Sequence, residues 1–319
     1  MRSTSCIGLA AAALTLAAPS RVAGATTKVV SVDCTKGQNV SVALQTKADN
    51  LEIRIRGMCH EDVVIRRDHV TLIGADPNVD GIAAVDTVDI RGAAVYVRDA
   101  RMVRLENLKL TGGITSGLRV HSSDTQTVVK NCRLEGNGRD GITAAQSVVV
   151  VEDSVMSDQP LGAIAALASQ FFCTRCTMEN VNVGLLAADG AEMTVSDSTI
   201  TANSDGLQIL NSANVFVTNT QLSGRVNLAH QALVTMTDVV QTEIPSNANL
   251  VKIDSTLVLD GRSNLMGPLN VRTFSKVRLD SDSAIDGDLT CQSGGIASCV
   301  DPLDVTGDIQ DCGLLCVKP

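Results

Sequence analysis

The chain has no tryptophan, one tyrosine (Tyr96) and four phenylalanines (Phe171, Phe172, Phe216, Phe274) in 319 residues. Any core built from this composition is aliphatic. Prolines number 7 against 25 glycines, and 44% of the residues are hydrophobic, which excludes a disordered chain and a collagen. Positive charge is not in excess either. Against 26 basic residues stand 35 acidic ones, a net charge of −9, so no phosphate-binding surface for nucleic acid is expected. Long apolar runs are also missing. The longest, from Cys6 to Ala18, has 13 residues, short of the roughly 20 that cross a bilayer.

That short run follows Met1-Arg2 and precedes Ala23-Gly24-Ala25, a small-x-small sequence of the kind signal peptidase cleaves. Residues 1–25 are therefore expected to be a signal peptide, and the protein to be secreted or periplasmic, with a mature net charge of −11. No later stretch reads as a transmembrane segment. Nine cysteines remain in a compartment where disulfides persist. Cys34 and Cys59 flank the start of the regular region and are expected to pair. Cys291, Cys299, Cys312 and Cys316 crowd the end and allow three connectivities. Cys132, Cys173 and Cys176 lie in mid-chain, and Cys173-Thr174-Arg175-Cys176 lacks both the strand-to-helix context of a redox motif and the second ligand pair of a zinc site.

What the sequence does contain is a repeat. A seven-residue frame recurs six times, at Arg104 to Leu110, Val128 to Leu134, Val150 to Met156, Phe172 to Met178, Thr194 to Ile200 and Phe216 to Leu222, in steps of 24 and then 22. Its fourth position reads Asn107, Asn131, Asp153, Arg175, Asp197 and Asn219. Asn and Asp tolerate left-handed backbone and hydrogen-bond along a stack, so this column is a turn; Arg175 interrupts it with a local bend or an ion pair. A second column of glycines, Gly117, Gly141, Gly162, Gly184 and Gly206, keeps the same period. A period near 22 is too short for helical pairs or propeller blades, and the apolar residues alternate as they do in strands. Each repeat is thus one turn of a coil of short strands. Leu118 and Val120, Ile142 and Ala144, Ala163 and Ala165, Leu185 and Ala187, and Leu207 and Ile209 point inward by parity.

Weaker copies on both sides bring the total to about ten coils at roughly 4.8 Å each. A solenoid needs covered ends. Val40 to Lys47 suits a short amphipathic helix over the first coil, and His60, next to Cys59 and Glu61, reads as part of the same cap and not as a ligand. The chain then divides into the signal peptide, an all-β solenoid with its N-terminal cap over residues 26–290, and a disulfide-rich C-terminal cap over residues 291–319.

The glycine-led strands, the Asn/Asp turn column and the opening from Asp33-Cys34 to Gly57-Met58-Cys59 with "VTLIG" resemble the secreted right-handed parallel β-helix proteins of the pectate lyase-like superfamily, many of them bacterial. The resemblance covers about residues 29 to 290. It implies a fold that hosts lyases, hydrolases, epimerases and non-enzymatic adhesins. It also implies that chemistry, where present, sits on the outer face of one sheet and uses carboxylates from neighbouring coils.

On the glycine-led strand the outward residues are Arg119, Thr143, Ile164, Leu186 and Gln208, with no carboxylate among them. The nearest ligand-binding candidates are Arg119 and His121 for an anionic sugar, and Asp140 and Asp205 just before their glycines. Asp140 and Asp205 are three coils, or about 14 Å, apart, beyond the roughly 9.5 Å of an inverting pair. No catalytic residue is assigned. Asp280, Asp282, Asp286 and Asp288 form an oxygen-rich run that Ca²⁺ could use, without the glycine and terminal glutamate of an EF-hand; no other cofactor is indicated. Two function classes follow. One is an exported, non-catalytic recognition or structural module with a polysaccharide or surface partner, including a calcium-stabilised adhesin. The other is a polysaccharide lyase, hydrolase or epimerase acting on an anionic polysaccharide.

Overall fold

The computed structural model describes residues 26–85, 92–243, 247–280, 282–298 and 304–314; the expected signal peptide lies outside them. The chain winds into stacked coils whose strands form three parallel sheets. Sheet A begins at Thr27–Asp33 and runs to Gly313–Leu314. Sheet B begins at Met58–His60 and runs to Ala284–Asp286. Sheet C begins at Val63–Ile65 and runs to Ile309–Gln310. Within each coil the order is A, B, C.

The turn from sheet A to sheet B is the Asn/Asp column. Asn107, Asn131, Asp153, Arg175, Asp197 and Asn219 all have φ between 46° and 54°, the left-handed region those side chains tolerate best. Their side chains link adjacent coils: Asn131 Nδ2 donates to Asn107 Oδ1 at 2.7 Å and Asn219 Nδ2 to Asp197 Oδ1 at 2.6 Å. Arg175 keeps the backbone geometry and forms a two-bond ion pair with Asp153. That pair holds the Asp153 carboxyl below the usual carboxylate range, the hydrogen bond from Arg175 being the main cause.

The glycine column has a different cause, namely backbone proximity. A Cβ on Gly162 would sit 2.5 Å from the carbonyl oxygen of Gly184, and one on Gly184 would sit 2.6 Å from that of Gly206.

The inward columns form one continuous core. Leu118, Ile142, Ala163, Leu185 and Leu207 are fully buried, as are Leu105, Val129, Val151 and Val195. Phe171 is an aromatic exception, fully buried in the column Val149, Phe171, Met193, Val215. At the corners, buried hydroxyls replace missing ladder bonds: Ser154 Oγ accepts from Cys132 N and Ser198 Oγ from Cys176 N, both at 3.0 Å.

The solenoid has about 12 turns, more than the ten expected. The frame of 22 breaks after Val215, which stacks on Val234 in a step of 19; Val234 stacks on Leu257 in a step of 23, and from Asn249 to Leu269 to Leu289 the step is 20. A search for 22 finds these coils only as irregular copies. The described residues beyond 290 still stack in the sheets, as Ile296–Ser298, Ile309–Gln310 and Gly313–Leu314.

The helix over the first coil is shorter than expected, at Val40–Ala43, with Val40 and Ala43 turned into the core. Glu61 closes its amino end, accepting from Val40 N at 2.6 Å and Ser41 N at 3.0 Å. Cys34 pairs with Cys59 as expected. Of the C-terminal four, Cys291 pairs with Cys312, while Cys299 and Cys316 lie outside the described residues. Cys173 and Cys176 bond to each other across the Arg175 turn. Cys132 is buried and unpaired, and burial pushes its thiol up to about 12. Among the described residues no helix is long and apolar enough to cross a membrane.

Candidate functional site

Backbone registers decide which residues share the outer face of sheet C. Tyr96 pairs with Arg119, Arg119 with Thr143, Thr143 with Ile164, Ile164 with Leu186, Leu186 with Gln208 and Gln208 with Asn227. The five outward residues read from the sequence are therefore one column, extended by Tyr96 on one side and Asn227 on the other. It contains no carboxylate.

Arg119 is the feature of this column. Its guanidinium carbon lies 5.8 Å from the centroid of the Tyr96 ring, within cation–π range. Its Nε is buried and has no hydrogen-bond partner, which is costly unless something else satisfies it. His121, two residues on, pairs with Arg98 on the preceding coil and with Ala145 on the next. Its Nδ1 lies 2.9 Å from Ser122 Oγ, which leaves Nε2 for exchange with another molecule. Arg98 is paired with Asp99.

Asp140 stands at the upstream edge of the same face and is fully buried. Arg139 donates to its Oδ2 at 2.8 Å and Thr143 to its Oδ1 at 2.7 Å; Thr143 Oγ1 also lies 3.0 Å from Ser116 Oγ. Asp205 is held in the same manner, by Arg225 through two bonds of 2.6 and 3.1 Å and by Asn227 at 3.2 Å. The two aspartates share one edge column, Asp140 to Leu161 to Val183 to Asp205. Three coils separate them, about 14 Å. Each is consumed by its own arginine, so they do not form a general acid and base.

The four aspartates considered for calcium are not brought together. Asp280 is paired with Arg278, Asp286 accepts from Thr306 Oγ1 at 2.8 Å, Asp288 accepts from Asp308 N at 2.9 Å, and Asp282 is exposed. The run crosses the turn from sheet A to sheet B and leaves it again, which spreads the carboxylates over two faces. Among the described residues, no group of three or more His, Cys, Asp or Glu side chains could hold a metal ion.

Sequence reasoning missed the contact of Tyr96 with Arg119 and the arginine partners Arg139 and Arg225. Tyr96 precedes Arg119 by 23 residues and Arg225 follows Asp205 by 20. A repeat of 22 or 24 places neither correctly.

Comparison with protein families finds the right handed beta helix region matching residues 87–239. Comparison with the curated proteins finds no match. Among solved structures, the chain is similar to the A-module of a mannuronan C-5 epimerase from Azotobacter vinelandii, with TM-score 0.53, 13% identity, and coverage of 83% of this chain and 87% of that one. It is also similar to DFA-IIIase from Arthrobacter chlorophenolicus A6, determined in complex with GF2, with TM-score 0.52, 11% identity and 88% coverage of each chain. At these identities the likeness is one of fold.

Proposed function

We propose, on the premise that this chain is a right-handed parallel β-helix of the pectate lyase-like fold, that it engages an anionic polysaccharide on the outer face of sheet C, with Arg119 as the anchor. The observation that carries this reading is the Arg119 guanidinium, stacked on Tyr96 with its Nε buried and unpartnered. In a chain of net charge −9, an arginine without a carboxylate in its own column suits an acidic group on a ligand. A carboxylate accepts two parallel N–H bonds from guanidinium, which a hydroxyl cannot do. Ile164 and Leu186, beyond Thr143 in the column, offer apolar surface to the following sugar rings. Export belongs to the same reading: Cys34–Cys59, Cys173–Cys176 and Cys291–Cys312 are disulfides that persist outside the cytosol.

The test is binding of the purified mature chain to polygalacturonate and alginate by calorimetry. Arg119→Ala is expected to weaken binding at least tenfold, about 1.4 kcal/mol. Equal affinity for the variant and the parent chain would remove Arg119 from the site.

A second reading, lyase or epimerase chemistry, is favoured by one observation: Tyr96, Arg119 and His121 occupy neighbouring positions of one face. Neutralising a uronate carboxylate acidifies the adjacent C5–H, and a positioned base then removes that proton. Arg119 would neutralise, and His121 Nε2 would take the proton. This route needs no carboxylate pair. Absorbance of unsaturated products, or exchange of the C5 hydrogen with deuterated solvent, that disappears in His121→Ala is the expected signature. A hydrolase has no comparable support, because Asp140 and Asp205 are apart and already paired.

A further inference from the structure

The outer face of sheet A carries a feature that the sheet C reading does not use. Registers place Arg104, Val128, Val150, Phe172, Thr194, Phe216, Thr235, Val258 and Arg278 in one outward column. Its middle is apolar, and it holds two of only four phenylalanines in the chain. Phe216 is 39% exposed and Phe172 is half-buried. Exposed aromatic surface in line along a flat sheet is an unusual use of a scarce residue and marks an interaction face.

The surroundings say what kind of partner it fits. One flanking column is Gln170, Glu192 and Asn214; the other is Thr174, Ser196 and Thr218. Apart from Glu192, to which Gln170 donates at 3.3 Å, the groups beside the two rings are neutral amides and hydroxyls. The other charged residues lie further along the face, and Arg104 with Glu106, Lys130 with Glu152 and Arg278 with Asp280 are paired. Phe172 and Phe216 are two coils apart, about 10 Å along the stack. Alternate rings of an extended β-linked glycan present the same face over a similar distance. Rows of hydroxyl and amide groups on both sides match the equatorial hydroxyls of such a chain, and a face whose one charge beside the rings is the Glu192 carboxylate selects against a polyuronate.

We propose that the outer face of sheet A binds an extended, uncharged polysaccharide lying along the solenoid, with Phe172 and Phe216 as the two stacking positions. This surface is separate from the Arg119 site and does not depend on it.

The experiment is native affinity electrophoresis of the mature chain in gels containing hydroxyethylcellulose, galactomannan or mixed-linkage β-glucan, beside sedimentation velocity without glycan. Retardation by at least one of these polymers is expected. Phe172→Ala and Phe216→Ala should each weaken it at least fivefold, and Thr194→Arg, which places a long charged side chain between the rings, should abolish it. Arg119→Ala should leave it unchanged. Thermal melts of each variant separate loss of binding from loss of fold, and Thr194→Arg, being on the outer face, leaves the core untouched. Absence of retardation by all three polymers overturns the proposal. So does equal loss in Arg119→Ala, or a dimer in sedimentation that Thr194→Arg dissolves, since a second copy would then be what covers this face.

Discussion

At the scale of the residue, the turn between sheets A and B shows chemistry repeating with the coil. Asn131 combines a φ of 48° with a side-chain bond to the coil before it. Alanine keeps neither advantage, because its Cβ opposes left-handed backbone by about 1–2 kcal/mol and it has no amide to donate. Asn131→Ala is expected to lose about 2 kcal/mol in urea unfolding, and Asn131→Gly clearly less, since glycine accepts the backbone. Equal losses would mean that the ladder, and not the backbone, carries the effect. This column was legible because the requirement is local: the residue type follows from the φ of its own position. The partner of Arg119 was not legible, because a cation–π contact across strands depends on register and not on either residue.

Among the elements, the disulfides act on very different spans. Cys34 and Cys59 tie the cap strand to the first coil across 25 residues, while Cys173 and Cys176 close a loop of only 3. Chain entropy scales with the logarithm of the loop, giving about 3.5 kcal/mol for the first and about 1.6 kcal/mol for the second. Replacing Cys34 and Cys59 by serine should therefore lower the unfolding midpoint about twice as far as replacing Cys173 and Cys176. The opposite order in matched melts would show that the short bridge works by locking the Arg175 turn in the native state. The first pairing was readable from position in the chain. The second was not, because a bond across a four-residue turn needs that turn to face both sulfurs into the core, where Cys173 and Cys176 are buried. The short helix over the first coil is a similar case: its presence was readable from amphipathic spacing, while its closure by Glu61 depends on a residue 21 positions away.

For the whole molecule, the consequence of a one-dimensional stack is that coils are interchangeable in number and not in phase. Thr194 stands between Phe172 and Phe216 in steps of 22. Deleting residues 192–213 removes one complete coil and sets Asn214 on Gln170 in the same parity, so the shortened chain should keep its β-sheet circular dichroism and a cooperative melt. Deleting residues 193–213 removes one residue fewer. The extra residue, Glu192, then has to be absorbed at the corner before Asn214, as the odd steps from Tyr96 to Arg119 and from Ile142 to Ala163 are, and the chain should melt lower than the first. If both deletions behaved alike, nearest-neighbour stacking would not be what holds the solenoid.

The sequence by itself determined that this protein is a solenoid of parallel strands. Inward parity, turn column and glycine column repeat at one period, and each is a demand that a coil makes on its own residues. Only the tertiary structure decided how many coils there are, because the step changes from 22 to 19, 23 and then 20 without leaving a new motif. It alone decided which side chains meet where the step between coils departs from 22. A shift of one residue between coils leaves the pattern of each strand intact and yet changes every neighbour across the ladder. Arg119 on Tyr96 and Arg225 on Asp205 are products of that register.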